Sequence, residues 1–441
     1  MKSLNETAIA TAQRLGVDDA VALSIGSKER MLRFANNSAT VIEQIDETEL
    51  TVYLAKGGRR AIASTSNPQE SSVRRFVSEL FSSLKHLPVS DYASLPSRAI
   101  KYSPKREMYD GKIATLGEQL PKLAETAISA SLQAGAKRSA GVIEASVVSY
   151  DILTSAGTRG ADARTSLTLN IRAFSDGDAS GHGLSCTSSL SAFDPEGAGR
   201  RAGEAARQMV NATEPEAGTY DVLLSPAVAS NLIESVAWSS SAFSVEAGLS
   251  YLADRVGKGV ASENFDLTDH GRIKGGLGGR SFDDEGMPTR STPIIKAGVL
   301  QGYLHNLTSA KRWRTSTTGN AGLVSPHAWN LEVGKGDSDY DEMVKTTKRG
   351  IVLTSNWYTR FKNYRTGEFS TVPRDGAFLV ENGSTVKSLK GMRLSDDLLR
   401  MFSSVRMLSK KREWIEWWEV DTPTLCPWVL VEGARITRAY E

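Results

Sequence analysis

Apolar residues recur at helical spacing from the start of the chain, at Leu4, Ala8, Ile9, Ala12 and Leu15, and Gly16 is placed to cap that helix. Short apolar runs predict four strands next, at 20–25, 31–35, 40–45 and 50–55, the last closed by Gly57-Gly58. Val73, Phe76, Val77, Leu80, Phe81 and Leu84 predict a second helix. Residues 89–110 carry little periodicity and are expected to be a connecting segment. A third helix is expected over 116–134, then strands over 141–154 and 165–174. In the latter, Leu167, Leu169, Ile171 and Ala173 alternate with polar residues. Asp194-Pro195 reads as an N-cap followed by proline at the first helical position of an alanine-rich helix.

Near residue 215 the texture changes. From Tyr220 onward the pattern predicts short strands, glycine turns and one clear helix, with a hairpin turn at Asn382-Gly383. The expected fold class is α+β: a mixed α/β N-terminal half, residues 1–215, followed by a β-rich C-terminal half, residues 216–441.

Composition narrows the function classes. Lys+Arg 53 against Asp+Glu 51 leaves a net charge of +2, which speaks against a dedicated nucleic-acid binder. The two cysteines, Cys186 and Cys426, lie far apart and form no CxxC, so a four-cysteine zinc site and a disulfide framework are both excluded. The opening residues from Met1 to Glu6 precede no apolar signal-like region, and no run of about 18 apolar residues occurs. A cytoplasmic location with no membrane contact is expected.

Common catalytic signatures are missing: no GxSxG, no Walker A and no complete GxGxxG. The run from Gly275 to Gly279 is framed by no strand-to-helix pattern, so a tight-turning loop is its plainer reading than a phosphate cradle. His86, His182, His270, His305 and His327 are dispersed, so no helical metal pair exists. Cys426, before Pro427 in an apolar strand, reads as a buried, inert thiol. Asp283, Asp284, Glu285 and Gly286 form an acidic loop suited to a cation or to basic groups of a peptide, or to a solvated turn. Thr318, Gly319 and Asn320 form a second polar loop able to present backbone amides to a ligand, or simply to turn the chain.

Taken together, the loop Phe282–Gly286, the segment Gly298-Val299-Leu300-Gln301-Gly302-Tyr303-Leu304 and the loop Ser316–Ala321 resemble, in order and spacing, the TldD/PmbA family, whose PmbA members are also called TldE. The segment from Tyr220 to Pro226 resembles the strand and helix start that precede the family's metal helix. Val380–Gly383 matches its late hairpin. TldD-like members carry HExxxH on that helix and a cysteine near the C-terminus, parts of a zinc peptidase. Positions five apart on an ideal helix lie roughly 140° apart, so one metal reaches both only where the helix widens or breaks.

Here the two histidine positions hold Ile233 and Trp238, and only Glu234 remains. Isoleucine has no lone pair, and an indole N–H only donates. The segment before Pro423, where the ligand cysteine is expected, reads Trp417-Trp418-Glu419-Val420-Asp421-Thr422. The resemblance therefore implies a TldE/PmbA-like subunit of a heteromeric TldD/TldE metallopeptidase acting on small or unfolded peptides. No catalytic or metal-ligating residue is expected in this chain, zinc is expected in a TldD-like partner, and Asp283, Asp284, Glu285, Gly286, Thr318, Gly319 and Asn320 are the candidate substrate-binding residues. The alternatives are a self-sufficient hydrolase with an atypical site, or a non-enzymatic regulatory or scaffold protein. The family also carries the label of a modulator of DNA gyrase, for which the charge balance offers no support in direct DNA contact.

Four of the eight tryptophans, Trp414, Trp417, Trp418 and Trp428, fall in the last 28 residues. A helix would place the first three on one face, whereas a strand would set Trp417 opposite Trp414 and Trp418. They are either core of the second half or anchors at a subunit interface.

Overall fold

Helix α1 (Leu4–Arg14) opens with a capping box: the Ser3 hydroxyl accepts from the Glu6 amide at 3.2 Å while the Glu6 carboxylate accepts from the Ser3 amide at 3.1 Å. The computed structural model describes residues 3–102 and 107–438. Residues 103–106 of the expected connecting segment lie outside the described residues.

The four short strands expected after α1 are two long ones, β1 (Asp19–Ala35) and β2 (Ser38–Lys56), paired through Asn36-Asn37, both at positive φ. Between the expected runs, the mostly polar stretches 26–30 and 44–48 face each other, so the apolar pattern breaks although the ladder runs on. Backbone hydrogen bonds need no apolar side chain. After β3 (Arg59–Ser66) come α2 (Glu70–Ser83), the single turn α3 (Gly111–Ala114) and α4 (Leu120–Gln133), the last shorter than the periodicity suggested. Strands β4 (Arg138–Thr154), β5 (Arg159–Phe174) and β6 (Ser180–Thr187) complete a six-stranded antiparallel sheet in the order β3-β2-β1-β4-β5-β6.

Helix α5 (Pro195–Gln208) starts as expected, the Asp194 carboxylate accepting from the Gly197 amide at 2.8 Å. It packs with α4 over Leu32, Ile143, Leu167 and Leu169. The approach of α5 to β6 depends on missing side chains: a Cβ at Gly181 or Gly183 would lie 2.1 Å from the carbonyl of Ala202 or Ala198.

A second sheet of 13 strands occupies 218–438. Its central strand β7 (Gly218–Leu224) pairs parallel with Arg349–Leu353 and antiparallel with Val420–Arg438. The chain then turns at Ser225, whose hydroxyl caps helix α6 (Pro226–Ser239). Short helices follow at Ala242–Glu246 (α7), Leu307–Trp313, Tyr340–Thr346 and Leu398–Ser403, where the pattern suggested one helix in all. Two turns or fewer are too short to establish a period. Asn382-Gly383, at positive φ, joins Ala377–Glu381 to Ser384–Ser388 as expected. Among the described residues, no helix is long and apolar enough to cross a membrane.

Candidate functional site

Helix α6 is apolar almost all the way round and packs in the core of the second sheet, against Val429 and Val431 among others. Two of its polar side chains, Asn231 and Glu234, reach the C-terminal hairpin. Asn231 donates to the Glu419 carbonyl at 2.6 Å, and Glu234 Oε1 accepts from the Thr422 amide at 2.6 Å. These two side chains grip the turn between Val405–Trp417 and Val420–Arg438, the C-terminal hairpin. The helix segment and the 417–423 segment, singled out separately in the sequence, are thus adjacent.

They bound a cavity of about 490 Å³. Glu234, Trp238, Asp421 and Thr422 face it, with His327 and Tyr251 on other walls. Burial pushes the Glu234 carboxyl up to about 7, with the Asp421 charge adding to the rise and hydrogen bonds from Thr422 opposing it. Burial lowers His327 to about 4, so its ring is neutral near pH 7.

Neither Ile233 nor Trp238 offers a lone pair to a zinc ion. Helix α6 is regular over its whole length, without a π-bulge. Ile233 is 0% exposed in the apolar core, whereas Trp238 is 44% exposed at the cavity. The two positions therefore diverge, as a regular helix requires. Cys426 is buried in its strand, its thiol pushed up to about 12 by burial. Among the described residues, no group of three or more His, Cys, Asp and Glu side chains is arranged to hold a metal ion.

The seven candidate substrate-binding residues do come together, at the joint between the two sheets rather than around a cavity. Phe282 inserts among Val21, Leu23 and Ile152 of the first sheet. Asp283 Oδ1 accepts from the Glu285 and Met287 amides at 3.0 and 2.8 Å, and its Oδ2 accepts from Ala321 at 3.1 Å. Asp284 pairs with buried Arg280, and Glu285 accepts from the Leu307 amide at 2.8 Å. Gly286 holds φ +75° and its carbonyl accepts from the Tyr102 hydroxyl. Thr318 accepts from the His305 amide at 2.8 Å, and the Gly319 carbonyl accepts from Trp329 Nε1 at 2.9 Å. Asn320 donates to Asp269 at 2.6 Å and to the His327 carbonyl at 2.8 Å. Their polar groups are aimed at the protein itself. The run Gly275–Gly279 is likewise engaged internally, the Leu277 and Gly278 amides donating to Asn330 Oδ1 at 3.1 and 2.8 Å.

Asp269 and Tyr251 carried no sequence signal, and nothing in the sequence tied His327 or Asp421 to Glu234, because the chain brings them together from distant positions. A Ser–His–carboxylate relay also occurs: His270 Nδ1 lies 2.7 Å from Ser291 Oγ, and its Nε2 lies 2.8 Å from Glu332. It stands on neighbouring strands, away from the cavity at α6.

The tryptophans at the C-terminal hairpin divide by position. The strand reading holds, with Trp417 at its end and Trp418 in the turn. Trp417 is 7% exposed and packs on His182 and Trp357, at ring distances of 4.7 and 5.6 Å. Trp418 is 58% exposed. Trp417→Ala is expected to destabilise the isolated chain by about 3–5 kcal/mol. Trp418→Ala is expected to cost under about 1 kcal/mol. Denaturant titration of the two variants checks the difference, and equal losses would place Trp418 in the core as well.

The comparisons with known proteins agree with this architecture. The sequence model of the PmbA/TldA metallopeptidase C-terminal domain matches residues 217–438, and that of the central domain matches 114–210. A metalloprotease of Methanocaldococcus jannaschii is 34% identical over 206 residues, 44% of each chain. Metalloprotease PmbA of Escherichia coli O157:H7 is 30% identical over 156 residues, 35% of this chain and 33% of that one. The matched stretch thus spans less than half the length of these curated relatives. Among solved structures, a Thermotoga maritima protein described as a modulator of a DNA gyrase superposes with a TM-score of 0.87 at 22% identity, covering 98% of this chain and 99% of that one. TldE from Thermococcus kodakarensis superposes with a TM-score of 0.84 at 18% identity, covering 99% of this chain and 100% of that one. At these identities the structural matches speak for the fold, and the domain matches over 114–210 and 217–438 place the chain in the TldD/PmbA metallopeptidase family.

Proposed function

We propose that this chain is a TldE/PmbA-like subunit that completes a heteromeric peptidase, with zinc carried by a TldD-like partner and none held here. The observation that carries the reading is the surface of α6. Ile233 and Trp238, at the positions the resemblance assigns to histidines in TldD-like chains, lie on diverging sides of an unbroken helix. Glu234 Oε1 accepts from the Thr422 amide. In this reading Glu234 positions the C-terminal hairpin and is not a general base, because a base needs an activated water to deprotonate. The Phe282–Gly286 segment ties the two halves together through Phe282 and Tyr102.

The test is co-expression with a TldD-like chain bearing HExxxH. The pair is expected to co-purify, with about one zinc per heteromer and peptidase activity, while this chain alone shows neither. One tightly held zinc on the isolated chain, with chelator-sensitive cleavage, would overturn the reading. So would failure of the two chains to associate.

A further inference from the structure

The cavity at α6 has a charge balance that calls for a ligand. Two carboxylates, Glu234 and Asp421, face it, and no lysine or arginine does. His327 is held neutral by burial, so it supplies no counter-charge. One wall is the C-terminal end of α6, Ala237–Ser239, where the aligned peptide dipoles place partial negative charge. The Tyr251 hydroxyl is buried, 4% exposed, and lines the same space. Ser239 lies beside it without closing a hydrogen bond, so this oxygen has no partner. An unpartnered buried hydroxyl is costly unless a ligand or water completes it.

The entrance is aromatic. Trp238, Phe243 and Tyr364 are each more than two-fifths exposed, and the Trp238 and Tyr364 rings lie 5.3 Å apart. Large apolar faces left in water at the mouth of an acidic cavity suit a cation carried on an apolar stem, through cation–π attraction and burial of the stem. Beyond Asp421 the acidic lining continues. That residue also borders a second cavity of about 400 Å³ with Glu29, Glu144 and Glu416 on its walls. Glu416 Oε2 is buried there without a hydrogen-bond partner. Arg164 also lines that second space; it donates to the Tyr150 hydroxyl and the Leu277 carbonyl, and its charge offsets part of the burial that raises Glu416.

From this geometry we infer that the cavity at α6 binds an alkylammonium group of a peptide, either a lysine side chain or a free amino terminus, between Glu234, Asp421 and the Trp238–Tyr364 rim. The ammonium would neutralise the Glu234 carboxylate, which burial otherwise drives toward protonation. The inference deepens the reading above by naming the charge of the ligand, and rests on it only in taking the ligand to be a peptide.

The experiment is calorimetric titration of the purified chain, without any partner, with three alanine-based probes. One is acetylated and carries a central lysine, one has a free amino terminus and no lysine, and one is acetylated with glutamine in place of lysine. At least one ammonium peptide is expected to bind about tenfold or more tightly than the glutamine peptide, and the stronger of the two identifies the source. Glu234→Gln and Asp421→Asn are expected each to weaken that peptide several-fold and leave the glutamine peptide unchanged. Trp238→Ala, at an exposed position, is expected to weaken that peptide without lowering the melting temperature, which guards against a variant that loses binding by unfolding. Equal binding of all three probes, binding unaffected by the carboxylate variants, or no saturable binding by any probe overturns the inference. Such results leave the heteromer reading standing. A chain that prefers ammonium peptides but never associates with a TldD-like protein sinks that reading and leaves this one.

Discussion

Asp269→Ala is expected to destabilise the chain by roughly 3–5 kcal/mol, enough to lower its soluble yield sharply. Asp269 is fully buried in the strand Leu267–His270. One oxygen accepts from the Trp329 and Asn330 amides at 2.6 and 3.2 Å, and the other accepts from Asn320 at 2.6 Å. Alanine would leave two backbone donors buried without an acceptor, each costing about 1–3 kcal/mol, and would free the Asn320 loop from its anchor. Through Ala321 that loop is tied to Asp283, and through Phe282 to the first sheet. The damage should therefore spread to the joint between the sheets. Urea unfolding followed by tryptophan fluorescence checks this. A loss below about 1 kcal/mol would show that other contacts hold the loop.

Glu285→Gln is expected to change the slope of stability against pH. Burial, with the Asp283 charge beside it, pushes the Glu285 carboxyl from 4.5 up to about 8, against the opposing charge of Arg60. The folded chain thus holds this proton more tightly than the unfolded chain. The stabilisation is complete below the unfolded value and is lost as pH rises through the folded one, so the wild-type chain should weaken between about pH 5 and pH 8. Glutamine keeps an oxygen to accept from the Leu307 amide and cannot ionise. The variant should match or fall slightly below the wild type near pH 5 and exceed it near pH 8, by an amount on the order of 1–3 kcal/mol or several degrees in Tm. Melting curves across that range decide it. Parallel profiles for the two proteins would mean that Glu285 ionises in the fold at no cost.

What could be read in the amino-acid order is whatever short-range chemistry specifies. Asp194-Pro195 starts a helix because a carboxylate and a ring with no N–H suit a helix N-terminus in any context. Asn382-Gly383 turns a hairpin because both residues tolerate positive φ. Leu167, Leu169, Ile171 and Ala173 alternate because one face of β5 is buried under α4 and α5. The three family-like segments also stand in the sequence itself.

Tertiary structure decided the rest. Strand β6 (Ser180–Thr187) has only Thr187 among the branched or aromatic residues that mark strands, and Gly181 and Gly183 let α5 pack onto it. The continuity of β1 and β2 through polar sequence rests on ladder hydrogen bonds rather than side chains. The acidic loop reads as a binding feature in one dimension, but its carboxylates meet backbone amides that lie up to 38 residues away. The cavity at α6 joins Glu234 to Thr422 across 188 residues. No local pattern encodes that meeting, because it is made by the pairing of β7 with the final strand and by the burial that follows from it.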